Sequence, residues 1–140
     1  MQTRLTYRRN REALKLDEGS IMKKQTWLTI AVAAAAGAAI WALSLLLTDH
    51  REAWDASGGY YPVGLVVAGV LAGMLAPKPL WAHYIGAVLG QLAYMLIFLP
   101  TGPLIAVGII ILLVFSTLFL LAAAIGGYLK TRFIRPRQDA

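Results

Sequence analysis

From Pro79 to Leu129 the chain contains no Asp, Glu, Lys or Arg. A soluble domain cannot hide that much uncharged chain, so this run fixes the class of fold. Its one break is Pro100-Thr-Gly-Pro103. The break leaves two apolar segments, Leu80 to Leu99 and Leu104 to Leu129, each at least the ~20 residues that cross a bilayer core. Composition agrees, with 59% hydrophobic and only 14% charged residues.

Two further segments precede them. Thr26 to Leu47 is a span whose middle, Ala31 to Ala39, is all Ala apart from Val32 and Gly37. Tyr60 to Ala76 is close to the shortest helix that still crosses. Pro62 fits its first turn and Pro77 ends it. The expected fold is an all-α integral membrane protein, with four transmembrane helices in an antiparallel bundle. The spans cover about 26–47, 60–76, 80–99 and 104–129.

Charge sets the orientation. Arg4, Arg8, Arg9, Arg11, Lys15, Lys23 and Lys24 lie in residues 1–25, and Lys130, Arg132, Arg135 and Arg137 lie in residues 130–140. The loops hold only Arg51 and Lys78. The positive-inside rule then places both termini and the Pro77-Lys78-Pro79 turn in the cytoplasm. Residues 1–25 read as a basic, partly disordered tail touching lipid headgroups, with a weak helix at most around Arg8 to Asp17; the other reading is a docking segment for a partner. A cleaved signal peptide is not expected, because the basic region and the apolar run after it are both too long. The net charge of +6 lies beside the spans, which points to anionic lipid headgroups rather than nucleic acid. The expected location is the cytoplasmic (inner) membrane of a bacterium. Trp27 and Trp81 suit the inner interface, and Trp54, Tyr60 and Tyr61 the outer one.

The hairpin Tyr60 to Leu99 carries a Gly-x-x-x-Gly in each arm, Gly69 to Gly73 and Gly86 to Gly90. On a helical wheel these glycines share an arc with other small residues, while Val67, Leu71, Leu89 and Leu96 face away. Lipid gives apolar helices no hydrophobic reason to associate, so close approach across small residues must supply the attraction. Gly69, Gly73, Gly86 and Gly90 are therefore expected packing positions.

Polar groups inside spans are the remaining candidates. They are His83, Tyr84, Gln91, Tyr94, Ser116 and Thr117. His83 lies one turn inside the cytoplasmic end, where headgroups would meet it. Gln91 is near mid-span and must find a partner on a neighbouring helix. Tyr84 is seven residues away on the same face, so the two could share a network. Ser116 and Thr117 are expected to bond their own helix backbone.

Other chemistry is disfavoured. The chain has no cysteine, which removes disulfides, thiolate metal sites and Cys nucleophiles. Asp49, His50, Glu52 and Asp55 in the first loop match no metal-ligand spacing. No span holds the carboxylate or cation that ion-coupled antiport generally needs. A haem would require a second deep ligand beside His83, and no intramembrane protease residue set is present. Neither cofactor nor metal is expected, nor is enzymatic activity. The sequence points to an accessory or structural subunit of a membrane complex, or a homo-oligomer assembled through its Gly and Ala faces. The other reading is a small channel or carrier for a neutral or lipid-like solute.

Overall fold

The computed structural model describes residues 2–100, 102–103 and 105–134, with side chains from residue 14 onward except those of Leu16, Ser57 and Ile134. Thr101 of the outer turn, and Arg135 and Arg137 of the basic C-terminal stretch, lie outside the described residues. All regular structure among the described residues is helical: α1 (Gln2–Thr48), α2 (Tyr60–Leu75), α3 (Leu80–Phe98) and α4 (Ile105–Leu129). A short 3-10 turn, Ser57–Gly59, precedes α2, and a widened turn, Lys130–Ile134, follows α4. By length and composition α1, α3 and α4 can each cross a membrane; α2 is apolar but shorter, at 16 residues.

Prolines and glycines place the helix ends. Asp49 closes α1 in a left-handed conformation (φ 58°), and the Ser44 hydroxyl donates to the His50 carbonyl beyond it at 3.0 Å. Gly58 and Gly59 turn the chain into α2 at φ 75° and 74°, where a Cβ would be strained. The α2–α3 turn has a cis Lys78–Pro79 peptide. The Thr29 hydroxyl donates to the Lys78 carbonyl at 2.8 Å and ties that turn to α1.

The N-terminal stretch differs from the expected tail. It continues α1 without a break, giving one helix of 47 residues. At 1.5 Å per residue that is about 70 Å, more than twice the ~30 Å hydrocarbon thickness. The physical reason is cooperativity. A helix already formed in the membrane needs no new nucleus to extend, and residues 2–25 contain no Pro and only Gly19 as a weak point.

The glycine motifs do not pack the hairpin on itself. Although the turn between them is short, α2 and α3 barely touch. Gly69 and Gly73 lie against Phe119, Ala122 and Ala123 of α4, whereas Gly86 and Gly90 lie against Ile30, Ala33 and Ala34 of α1. A Cβ at Gly69 would come within 2.6 Å of the Phe119 carbonyl, and one at Gly86 within 2.5 Å of the Ile30 carbonyl. Residue numbers rise together along both contacts, so each tight pair, α1 with α3 and α2 with α4, runs parallel. The thin waist of α1 supplies Ala33 and Ala34 for one pair, and Gly37 meets Ala87 one turn further along.

Burial follows the pattern of a membrane protein. Val67, Leu71, Leu89 and Leu96 are exposed, while Ala72, Ala82, Ala87, Ala123, Ser116 and Gln91 are buried. Many bulky apolar groups face outward while small or hydrogen-bonded groups pack inward, although Leu65, Leu112 and Phe119 are also fully buried. Trp27 and Trp81 are exposed, at 71% and 55%.

Candidate functional site

The best-formed polar feature is built on Gln91, which is fully buried in α3. Its carboxamide oxygen accepts from the Tyr61 hydroxyl of α2 at 2.6 Å and from the Trp41 indole of α1 at 3.3 Å. Its amide nitrogen donates to the Ser116 hydroxyl of α4 at 3.1 Å. Ser116 then donates to the Leu112 carbonyl, four residues back, at 2.8 Å. One side chain thus links all four helices. Because an indole N–H can only donate, Trp41 also fixes which end of the carboxamide is the oxygen.

Aromatic rings close around this hub. Trp41 meets Trp54 of the first loop edge-on, with centroids 4.7 Å apart, and approaches Tyr61 at 6.1 Å and Tyr94 at 6.3 Å. Tyr61 packs on Phe115 at 5.3 Å, and Tyr94 on Phe98 at 4.7 Å. The edge-on pairs of Trp41 with Trp54 and Tyr61 add about 0.5–1.5 kcal/mol each beyond the area they bury. Trp54 is held by its own hydrogen bond to the Glu52 carboxylate at 2.7 Å. The first loop therefore folds inward over the bundle, burying Ala53 and Ala56.

The other candidates separate. Tyr84 does not join Gln91; its hydroxyl donates to the Leu113 carbonyl of α4 at 3.1 Å. Thr117 donates to the Val114 carbonyl of its own helix at 2.6 Å on an exposed face. Tyr94 contributes its ring to the aromatic cluster. His83 corrects its sequence expectation: it has no exposed surface and so does not face headgroups. Neither of its ring nitrogens has a partner.

Trp41 and Tyr61 are the hub residues that sequence reasoning misses. Tyr61 reads as part of the outer aromatic belt, yet it is only 2% exposed, and Trp41 lies unremarked in an apolar span. The available signal is chemical. An indole or phenol inside a span needs an acceptor, and the Gln91 carbonyl is a deep side-chain acceptor in the same membrane region.

The hub can hold helices; its hydroxyls are committed as donors to a carboxamide or a backbone carbonyl. Among the described residues no group of three His, Asp or Glu side chains is placed to hold a metal ion. Comparison with known protein families, with curated proteins and with solved structures finds no match to this chain.

Proposed function

We propose that this is a non-enzymatic, four-span protein of a bacterial cytoplasmic membrane, with both termini in the cytoplasm, acting as an accessory subunit that engages a partner protein through the N-terminal arm of α1. The observation that carries this reading is the continuity of α1. Its closest packing on α3 begins near Ile30, and the same helix runs on over residues 2–25 for about 36 Å toward its N-terminus. Leu14, Ile21 and Met22 on that arm are exposed at 63%, 48% and 66%. A mostly polar helix draws little stability from packing on its own chain. A partner surface would stabilise it.

The bundle supports the same reading from inside. The Gly faces that could have driven self-association are occupied by α1–α3 and α2–α4 contacts within one chain, which favours a partner over a homo-oligomer built on them. The residues that would line a channel do not share a passage: Gln91 and Ser116 bond each other in the buried interior, and Thr117 is on an outer face.

The test is affinity purification of the tagged full chain from native membranes in mild detergent, beside a variant lacking residues 2–20. A second protein in stoichiometric amount, lost from the variant, supports the proposal. A partner retained equally by both forms rules out the arm as its contact.

A further inference from the structure

Between α1 and α2 runs an open apolar groove of about 930 Å³, walled by Ala35, Ala36 and Ala39 on one side and Gly64, Ala68 and Leu71 on the other. It extends along α1 from Val32 to Leu47, about 23 Å at 1.5 Å per residue. Its lining is almost wholly apolar and its walls are built mainly of Ala, Gly, Val and Leu, a surface that suits flexible hydrocarbon chains.

Its two ends differ in charge. At the outer end Thr48, Gly58 and Tyr60 line the groove. The Thr48 and Tyr60 hydroxyls are already donated, to the Ser44 and Ile40 carbonyls. At the inner end the Lys130 ammonium lies 3.3 Å from the carbonyl of Leu75, itself a groove residue. Lys78 is exposed beside α1, where its carbonyl holds Thr29. Lys24 is eleven residues before Ala35, within about 20° of the same helix face. The nearest acidic residues on α1, Asp17 and Glu18, are about 9 Å or more further along the axis. Lys130 caps the α2 C-terminus with one N–H and keeps two for another acceptor.

We propose that this groove binds an anionic glycerophospholipid of the cytoplasmic leaflet, its acyl chains lying between α1 and α2 and its phosphate meeting Lys130 and Lys78, with Lys24 adding to the field. Charge complementarity at one end and an apolar lining along the rest select this occupant. The leaflet rests on the orientation proposed above; Lys130 and Lys78, which meet the phosphate, lie outside the arm.

The full chain would be purified into nanodiscs holding equal dioleoyl phosphatidylglycerol and dioleoyl phosphatidylcholine, then released for native mass spectrometry. The wild type should keep one phosphatidylglycerol per chain, at least fivefold over phosphatidylcholine. Lys78→Ala with Lys130→Ala should abolish that preference. Ala39→Phe and Ala68→Phe fill the groove from opposite walls, and each should lose both lipids. If one phenylalanine variant misfolds by circular dichroism, the other and the lysine pair still decide. Equal retention of the two lipids by the wild type overturns the proposal. So does undiminished lipid on a folded phenylalanine variant, or a lipid-free dimer.

Discussion

Replacing Gln91 with Leu should destabilise the bundle more than any other single change to a polar residue. The substitution keeps approximate volume but removes the acceptor of Tyr61 and Trp41 and the donor to Ser116. Hydrogen bonds between membrane helices average about 0.6 kcal/mol and reach about 1.7, so the three lost bonds cost about 2 kcal/mol. The phenol and indole then remain buried without partners, which adds about 1 kcal/mol or more. Ser116 keeps its bond to Leu112 and adds little. The expected total is about 2–4 kcal/mol, roughly a 30-fold or greater fall in the folding equilibrium constant at 1.4 kcal/mol per tenfold. Reversible unfolding in mixed micelles, followed by circular dichroism, would measure it. The decisive control is a double-mutant cycle with Tyr61→Phe. Alone, that change should cost about 0.5–1.5 kcal/mol; in the Gln91→Leu background it should cost nothing or stabilise. Equal costs in both backgrounds, or a Gln91→Leu protein within about 0.5 kcal/mol of wild type, would refute the hub.

The remaining expectations concern single sites. Gly90→Ala sets a Cβ against the Ala34 backbone and should cost about 1–3 kcal/mol or more by forcing α1 and α3 apart. Gly19→Ala, with nothing within 4 Å, should instead strengthen the arm, read as a gain in helical circular dichroism, because Ala is the better helix former by about 1 kcal/mol. His83→Leu removes a buried imidazole that has no partner, and thermal unfolding should show equal or greater stability; a loss would mean that the ring is bonded in the membrane. Since the chain has no cysteine, Asp55→Cys and Ser20→Cys can report topology. In intact cells an impermeant maleimide should label only the first, and labelling of Ser20→Cys alone would invert the orientation.

How much of this could be read from residues alone varies by level. Helix limits were the most legible. Proline and hydropathy mark 60–76, 80–99 and 104–129, and α2, α3 and α4 end within a residue of those bounds. The arm was less so, because a solvated basic stretch reads as a tail, and sequence shows poorly that a membrane helix can simply continue. The glycine motifs define a face but not what it faces. A short turn joins the helices that carry Gly69 and Gly90, yet each helix packs on a parallel neighbour, because the Ala waist of α1 and Ala122–Ala123 of α4 offer closer backbone approach. For Gln91 the need of a partner is plain from its depth, whereas its donors are not. Tyr61 stands at the start of α2, where position suggests an interfacial belt, and Trp41 within an apolar run; only the three-dimensional packing brings both to Gln91. His83 shows the same difficulty in reverse, a polar residue near a helix end that the fold nevertheless buries.

The most direct test of the central claim, that the α1 arm is a docking element, is photocrosslinking in living cells from a photoreactive residue placed at Leu14 or Met22, with Val67 on the lipid-facing side of α2 as the control. One protein adduct of discrete mass from both arm positions, and none from Val67, is the predicted result. Adducts only to lipid or to a second copy of this chain from the arm would contradict it.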